Sequence, residues 1–311
     1  MKIAIIGAGI AGLSCAEALQ RQGHDIAMFD KGRGAGGRMA TRRAETPIGE
    51  VAFDHGAQYF TARDPAFAAA VREWEVADVV APWPSAGEAA WVGTPGMSSV
   101  VGTMAQSLPV RWNAPVHAIR RVGPCWVVDP VSDTLFDAVV VATPAEQAAP
   151  LLIAHDPAMA AMAQACPSAP CWTAMLAFDQ RLPLAADVVR DAGILSWAAR
   201  NNVKPGRGEV EAWVLQATPD WSREHLEDDS DAVVATLLSA LGRVAGAALP
   251  DPIVRIGHRW RYARATATRH GALWNGKTRI GAVGDWLLAP RVESAWRSGR
   301  MLAERIGAQT I

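Results

Sequence analysis

Three glycines near the start of the chain have a spacing that can bind phosphate. Gly7, Gly9 and Gly12 form a G-x-G-x-x-G pattern after the β-branched run Lys2–Ile6, and helix-forming residues follow. Gly7 permits a tight turn, Gly9 lets a pyrophosphate approach the backbone, and Gly12 allows close packing of helix and strand. Free N–H groups and the positive end of the helix dipole then face the phosphates. The pattern predicts a bound dinucleotide; the alternative is a glycine-rich turn without a ligand.

A carboxylate and a basic loop follow the second predicted strand. Asp30 ends this strand and is placed to accept hydrogen bonds from ribose hydroxyls. Residues 31–38 contain four glycines and two arginines, so the backbone can bend around a phosphate while guanidinium groups bind it. This position favours a phosphate-binding loop over a flexible surface loop.

Two other segments, residues 54–60 and 255–269, contain side chains that could bind a cofactor or a substrate. The first combines a carboxylate, small residues, an amide and two rings, which suits a backbone lying against a planar group. In the second, Arg259 and Arg261 alternate with Trp260 and Tyr262, so one strand face would present cations and the other rings. This arrangement favours a phosphorylated substrate; the alternative is a solvated, charged edge strand.

The elements that must position these residues follow from periodicity and composition. Buried strands are predicted at both ends of the chain, and a helix is predicted over Val292–Ile306. A different sheet is expected in the middle, with a helix at Asp231–Val244. Its predicted strands are Trp172–Phe178, Ile194–Ala199, Ala212–Ala217 and Val254–Tyr262.

Composition narrows the class of protein. Half of the 311 residues are hydrophobic and the formal net charge is −1, so neither a nucleic-acid nor a membrane partner is indicated. No apolar run reaches the length of a membrane span, and the first strand begins at residue 2 without a leader. The four cysteines lack metal-ligand spacing, so no metal site is expected. We therefore expect a cytoplasmic protein with reduced thiols.

Taken together, the motifs resemble those of the amine-oxidase-like flavoproteins, and the layout is similar to that of the renalase-like members. The motifs are Gly7–Gly12, Asp30, Gly36–Met39, Asp54–Tyr59, Val139–Thr143 and Gly284–Asp285. The resemblance implies an α/β fold with a Rossmann-like FAD-binding domain built from discontinuous segments and an inserted α+β substrate domain with a mixed sheet. The implied FAD-binding segments are 1–60, 98–145 and 273–311, and the substrate domain comprises 61–97 and 146–272.

The resemblance also implies a non-covalent FAD site. The adenosine ribose would bind Asp30, the pyrophosphate would bind the first helix and Arg38, and Gln58 and Tyr59 would lie near the isoalloxazine ring. Gly284–Asp285 would hold the ribityl-side phosphate, Val116 would offer its backbone to adenine, and the last helix would point its N-terminus at the flavin N1 edge, where it would stabilise negative charge. The implied contact residues are Gly7, Ala8, Gly9, Ile10, Ala11, Gly12, Asp30, Lys31, Gly37, Arg38, Ala57, Gln58, Tyr59, Val116, Thr143, Gly284, Asp285, Val292, Glu293 and Ala295.

Three functions are compatible with these features. The main hypothesis is an FAD-dependent oxidase that takes a hydride from 2- or 6-dihydroNAD(P), giving NAD(P)+, and passes the electrons to O2 as H2O2. Such a donor needs positioning more than a strong base. The alternatives are a flavin amine oxidase or other small-molecule oxidase or desaturase, and a non-enzymatic flavin- or NAD-binding redox sensor. The oligomeric state is left open.

The candidate reaction residues are few. Tyr59 and His258 are the catalytic candidates, although a lone histidine is more often structural. The substrate candidates are Arg259, Arg261, Tyr262 and Trp286. Two features weigh against a typical amine oxidase: no cysteine follows Cys171 to tether the flavin, and neither Lys204 nor Lys277 lies in a recognisable motif for the lysine that many amine oxidases place near flavin N5.

Overall fold

The structure is a computed structural model that describes residues 1–308. The strands are β1 (Lys2–Ile6), β2 (Asp25–Phe29), β3 (Thr41–Thr46), β4 (Gly49–Asp54), β5 (Val80–Pro82), β6 (Trp91–Gly93), β7 (Val110–Arg111), β8 (Ala118–Val122), β9 (Cys125–Asp129), β10 (Ser132–Phe136), β11 (Ala138–Val141), β12 (Ser168–Phe178), β13 (Val188–Ala192), β14 (Leu195–Arg200), β15 (Glu211–Ala217), β16 (Val254–Ala265), β17 (Leu273–Asn275) and β18 (Ile280–Ala282). The helices are α1 (Ile10–Arg21), α2 (Pro65–Val76), α3 (Ser98–Gln106), α4 (Ala145–Leu152), α5 (Pro157–Gln164), α6 (Pro219–Glu224), α7 (Ser230–Ala245) and α8 (Val292–Gly307).

A six-stranded sheet combines strands from the N-terminal part of the chain with two strands, β17 and β18, that precede the last helix. Its order is β17-β18-β11-β1-β2-β7, with β17 antiparallel to β18 and the other pairs parallel. The apolar, β-branched sequences of β1 and β11 fit this central position, because parallel strands are covered on both faces. Helices α1 and α8 pack together closely: a Cβ on Gly299 would collide with the carbonyl of Ala11, and the Ser14 hydroxyl donates to the Trp296 carbonyl at 2.8 Å.

A second, five-stranded sheet is antiparallel throughout, in the order β13-β14-β15-β12-β16. Helices α6 and α7 cover one of its faces through an apolar cluster that includes Trp172, Trp213 and Leu237. The other face packs on the β3–β4 hairpin, where Phe53 meets Met175. Alternate residues of each strand therefore point either to the helices or to the hairpin. We call these the helix face and the hairpin face.

The predicted fold class is confirmed: the protein has an α/β architecture with a Rossmann-like β1–α1–β2 unit and a separate α+β region. The mixed strand directions occur in the six-stranded sheet and not in the five-stranded one. Helix α2 begins with Pro65 and is capped by Asp64, whose carboxylate accepts from the N–H groups of Ala66 and Phe67.

Several elements were not predicted, among them the β3–β4 hairpin and strand β13. The hairpin is formed by the segment that precedes residues 54–60. Its strands alternate between exposed charge and residues such as Ala44 and Val51 that pack on the second sheet, and this pattern was masked by the arginines and glutamates between them. Strand β13 was also missed. It is an edge strand that pairs with β14, and its residues are half-buried or exposed, so its sequence lacks a buried apolar pattern.

The proposed domain boundaries remain a prediction. The two sheets lie within the segments assigned to the two domains. Helix α2, assigned to the substrate domain, packs against α8 through Phe67 and Trp296, whose ring centroids are 5.3 Å apart. Within residues 1–308, no helix combines the length and apolar character that a bilayer span requires.

Candidate active site

The turn after β1 has the geometry expected of a phosphate-binding turn. Gly7 has a φ of +105°, and a Cβ there would lie 2.6 Å from the Ala142 oxygen. A Cβ on Gly12 would collide with the Gly7 carbonyl, so both positions require glycine. Gly9 instead faces open space, and the start of α1 has no capping side chain and no acidic residue in its first turn. The N–H groups of Ile10, Ala11 and Gly12 therefore have no intrahelical partner and can bind an anion.

Asp30 lies beside this turn and holds it in place. One carboxylate oxygen accepts from the Ala8 N–H at 2.6 Å and the other from the Gly32 N–H at 2.7 Å. Each oxygen can still accept a further hydrogen bond, so the predicted ribose contact is compatible with these bonds. Lys31 is exposed, and Gly37 lies opposite Gly9, with its Cβ position 3.9 Å from the Gly9 Cα. Val116 is half-buried, in a connection between β7 and β8.

Arg38 and Asp285 form a bidentate ion pair, which changes part of the predicted phosphate site. The two N–O distances are 2.7 and 2.6 Å. The Asp285 carboxylate is thus committed to Arg38, and its charge would repel a phosphate. The prediction that Gly284–Asp285 holds a phosphate is therefore limited to the backbone N–H of Asp285, which begins a 3-10 turn and has no acceptor within that turn. The Gly284 N–H already donates to the Ser298 hydroxyl at 3.0 Å.

Two further observations fit a polar ligand between these segments. The Thr143 hydroxyl is buried at the end of β11 without a hydrogen-bond partner. Buried polar groups usually have a partner, so this hydroxyl is available to hydrogen-bond a bound ligand. A Cβ on Gly56 would collide with the Arg38 carbonyl, and the Ala57 N–H donates to that carbonyl at 2.8 Å, so residues 56–57 lie directly against the basic loop.

The start of α8 is oriented by Glu293 and not capped by it. One Glu293 oxygen accepts from the backbone N–H groups of Arg63 and Asp64, at 2.6 and 2.7 Å. The Glu293 carboxylate was a predicted cofactor contact and is occupied by these bonds. Val292 is half-buried and Ala295 is buried. Both belong to the apolar cluster that also contains the buried residues of α1.

The most buried charges of the candidate site surround Asp54. Its carboxylate is fully buried and accepts from the Thr41 hydroxyl at 2.8 Å and the Met97 N–H at 2.9 Å. It also contacts the Lys204 ammonium at 3.2 Å and the Arg207 guanidinium. Burial alone would raise the pKa of Asp54, but Lys204, Arg207 and the Met97 N–H lower that pKa to about 2. Asp54 is therefore a charged anchor for two cations.

Lys204, which the sequence analysis set aside because it lies in no recognisable motif, is a main functional candidate in the structure. Its side chain is fully buried, and its ammonium donates to Gln58 Oε1 at 3.2 Å as well as to Asp54. Burial lowers the pKa of Lys204 to about 8, against the opposing effect of Asp54. A lysine that can exchange its proton near neutral pH thus lies beside the segment predicted to contact the flavin.

The partner of Lys204 lies 150 residues away in the chain, so no local motif signals the contact. The one available signal was composition: arginine greatly outnumbers lysine, so a lysine between strands β14 and β15 is unusual. Arg207, the second cation of the cluster, binds Asp54 and the carbonyl of Gly93, the latter at 2.6 Å.

Gln58 and Tyr59 connect this cluster to the five-stranded sheet. The Gln58 amide donates to the carbonyls of Asp54 and Gly56 and accepts from Lys204. The Tyr59 ring stacks on Trp197 of β14, with centroids 5.5 Å apart and an interplanar angle of 29°. Of the two predicted flavin-facing residues, Gln58 is held by hydrogen bonds and Tyr59 by ring stacking.

His258, a predicted catalytic residue, lies on the hairpin face of β16 in contact with His55 and Trp260. The two imidazole centroids are 4.9 Å apart, and His55 stacks on Trp260, whose indole N–H donates to the His55 carbonyl at 2.8 Å. Burial and His258 lower the pKa of His55 to about 4, and burial and Arg42 lower the pKa of His258. Both rings are therefore neutral near pH 7, and neither has a carboxylate partner that would make it a base.

The predicted alternation in β16 exists, but the cations point away from this site. Arg259 and Arg261 lie on the helix face and pair with Glu227 at 2.7 and 2.6 Å. Arg259 also donates to the Leu226 carbonyl. Their predicted role in substrate binding is therefore not supported, because the sheet itself separates them from the hairpin face and Glu227 pairs with both.

The other two substrate candidates have different environments. Trp286 is fully buried, and its indole N–H donates to the Thr143 carbonyl at 3.3 Å, so it forms part of the core and cannot line an open pocket. Tyr262 is half-buried on the same strand face as Trp260 and remains compatible with a substrate role. Among residues 1–308, no cluster of three or more His, Cys, Asp or Glu side chains has the geometry of a metal site.

Comparison with known proteins assigns the family. A sequence model described as a flavin containing amine oxidoreductase matches residues 86–307, and one described as an NAD(P)-binding Rossmann-like domain matches residues 5–74. The chain belongs to the flavin-containing amine oxidoreductase family. FAD is therefore its cofactor, and the open turn at Gly9, the uncapped start of α1 and the unpaired Thr143 hydroxyl fit that group. FAD supplies hydride acceptance when it is bound.

Solved structures with the same fold include several oxidases. A protein from Exiguobacterium sp. 255-15 described as a protoporphyrinogen oxidase superposes with a TM-score of 0.75 at 15% identity, covering 99% of both chains. Wild-type putrescine oxidase bound to putrescine gives 0.68 at 15%, and cyclohexylamine oxidase from Brevibacterium oxydans IH-35A gives 0.71 at 13%, each with 99% coverage of both chains.

Among curated relatives, 4,4'-diapophytoene desaturase (4,4'-diaponeurosporene-forming) from Staphylococcus aureus strain Newman is 51% identical over 39 residues. This match spans 12% of the present chain and only 8% of the desaturase. Family membership therefore identifies an FAD-dependent oxidoreductase and leaves its substrate open.

Proposed function

We propose that this amine oxidoreductase family member is an oxidase that takes a hydride from a small-molecule donor and passes the electrons to O2, giving H2O2. The observation that carries the proposal is Lys204, buried at 3.2 Å from both Asp54 and Gln58. A buried cation of lowered pKa beside the predicted flavin segment can hold or release a proton, or order a water, while the hydride leaves the donor.

The first donor class is an amine or another small molecule with a reactive carbon–hydrogen bond. Family membership supports this class, and Lys204 removes one argument against it, because a lysine does lie at the flavin segment. Lys204 reaches this position through the fold, although no local sequence motif marks it. The chain has no cysteine after Cys171, which supports non-covalent FAD in either case.

The second donor class is the dihydronicotinamide isomers, 2- or 6-dihydroNAD(P). One specific observation favours them: the buried carboxylate of the site, Asp54, is already paired with two cations. A protonated amine would thus meet Lys204 and Arg207 without a free counter-charge. A dihydropyridine is neutral at its reacting ring and needs positioning more than deprotonation.

Anaerobic mixing of the FAD-loaded protein with each donor class tests the proposal. We expect loss of the oxidised flavin absorbance with donors of one class, and its return with H2O2 when air is admitted. A flavin that dithionite reduces, but no amine or dihydronicotinamide does, would contradict the proposal and favour a redox-sensing flavoprotein.

A further inference from the structure

A group of aromatic rings beside Lys204 carries buried hydrogen-bond donors that no protein group accepts from. Trp197 stacks on Tyr59 and meets the Trp83 ring with centroids 6.3 Å apart and an interplanar angle of 64°. We call these three residues, together with Arg190 and Lys204, the indole corner. It lies where the edge of the five-stranded sheet meets the loop between β5 and β6, next to the segment that is expected to face the flavin.

Two cations border the rings. The Arg190 guanidinium lies 4.3 Å from the Trp197 centroid and 5.7 Å from that of Tyr59, and it donates to the Ala86 carbonyl at 2.7 Å. On the other side, the Lys204 ammonium lies 5.0 Å from the Trp83 centroid. Arg190 is exposed and Lys204 is buried, so the corner is positively charged from the solvent side to the interior.

Both indole N–H groups of the corner are buried and have no hydrogen-bond partner. Trp83 is 2% exposed and Trp197 is 7% exposed, so water cannot readily satisfy these donors. Such orphaned groups are rare, and each costs stability unless a ligand or an ordered water accepts from it. Two of them within one aromatic group give the corner two donors that a ligand acceptor can use.

The nearby side-chain acceptors, Asp54 and Gln58, already accept hydrogen bonds from other groups. Asp54 accepts from Thr41, Met97, Lys204 and Arg207, and Gln58 Oε1 accepts from Lys204. Apart from the Tyr59 hydroxyl, which can donate or accept, the side chains of the indole corner are donors. A ligand that fits must therefore bring an acceptor and no additional positive charge.

We propose that the indole corner binds the hydrogen-bond-accepting group of a planar substrate, such as a carbonyl, carboxamide or carboxylate, and discriminates against protonated amines. This inference rests on the proposed function and narrows it to donors that are neutral or anionic where they enter the corner. The indole N–H groups and Arg190 donate to the acceptor. The stacked rings are only 5.5 Å apart, so the planar substrate packs against the stack and not between its members.

Three probes of similar size and different charge test the inference on the FAD-loaded protein: benzamide, benzoate and benzylamine. Each is titrated near pH 7 and followed by the perturbation of the flavin spectrum. We expect benzamide and benzoate to bind at least about tenfold more tightly than benzylamine, a difference of about 1.4 kcal/mol. Equal or tighter binding of benzylamine would overturn the inference.

Variants then assign the effect to the indole corner. Trp197→Phe and Trp83→Phe keep a ring and remove the donor, so each should weaken benzamide binding by about tenfold while thermal stability is unchanged or higher, because a buried orphan donor is lost. Arg190→Met should weaken benzoate more than benzamide, and Arg190→Lys should restore part of the loss. Trp221→Phe, on the helix face, is the matched control and should change neither affinity.

The outcomes separate this inference from the proposed function. Unchanged benzamide binding in both Trp→Phe variants would refute the indole corner, even if donors reduce the flavin. Conversely, benzamide binding that depends on Trp197, in a protein that no donor reduces, would support the indole corner and refute the oxidase. If a variant loses its flavin, the relative affinities of the three probes for the unaltered protein still test whether the site discriminates against protonated amines.

Discussion

The ion clusters around Asp54 and Glu227 have the same charge arrangement in very different surroundings. Each has one carboxylate between two cations, Lys204 and Arg207 in the first and Arg259 and Arg261 in the second. The first is fully buried and joins segments far apart in the chain. The Glu227 side chain of the second is 69% exposed. Burial makes each contact in the first cluster obligatory, whereas water and salt can replace those in the second.

The largest expected difference between the clusters is in stability. Asp54→Ala would leave Lys204 and Arg207 buried without a counter-charge, so we expect the free energy of unfolding to fall by about 3–5 kcal/mol. Urea unfolding of the FAD-loaded protein measures this change. The matched variant Glu227→Ala should leave the unfolding midpoint unchanged. Similar losses in both variants would show that burial does not distinguish the clusters.

The next effect is on the reaction. Lys204→Met should slow anaerobic flavin reduction by about 10²–10⁴-fold, the usual contribution of a positioned proton-transfer group, while the flavin remains bound. Lys277→Met, at an exposed lysine, is the control and should react at the original rate. A Lys204→Met protein that reduces its flavin normally would make the buried cluster structural only.

The pH dependence sharpens the role of Lys204. Because the lysine pKa is lowered from 10.5 to about 8, the rate of flavin reduction should rise with pH through an apparent pKa near 8. Lys204→Met should remove this rise. A pH profile that is the same in both proteins would exclude Lys204 as the titrating group.

The same cluster predicts how stability changes with pH. Between about 8 and 10.5 the unfolded state binds more protons at Lys204 than the folded state, so this group increases stability as pH rises through that window. The lowered pKa of Asp54 acts at the other end: its contribution is present above 3.8 and is lost as pH falls towards about 2. Urea midpoints across both windows, compared with Lys204→Met and Asp54→Asn, measure the two contributions.

The smallest effect is expected at the exposed cluster. Arg261→Gln should change neither the melting temperature nor the donor concentration needed for half-maximal reduction, because Arg261 pairs with Glu227 on the helix face. An increase in that concentration, without a loss of stability, would restore Arg261 as a substrate-binding residue.

The sequence was most informative where contacts are local. The β1–α1–β2 unit was predicted in full, because Gly7, Gly12 and Asp30 meet each other through a few backbone atoms within thirty residues. The Asp64 cap of α2 is local in the same way, because its acceptor oxygen and donor N–H groups lie within three residues. In these segments the residue types and their short spacing are enough to predict which groups make contact.

Long-range contacts had no comparable signal. Arg259 and Arg261 were conspicuous in the sequence. Their spacing predicts that they share a strand face, but it does not predict that this is the helix face. Lys204 was inconspicuous, since its partners Asp54 and Gln58 are brought to it only by folding of the β3–β4 hairpin against the sheet. The orphaned indoles of Trp83 and Trp197 could be recognised only once burial was known.

Anaerobic titration of the FAD-loaded protein with 6-dihydroNAD and with benzylamine, in parallel, tests the central claim most directly. We predict that at least one donor removes the oxidised flavin absorbance in proportion to the amount added, that the uncharged dihydropyridine does so more readily than the protonated amine, and that air restores the absorbance with an equal amount of H2O2. A flavin that dithionite reduces but that neither donor class reduces would contradict the claim that a hydride donor reacts at the Asp54–Lys204 cluster.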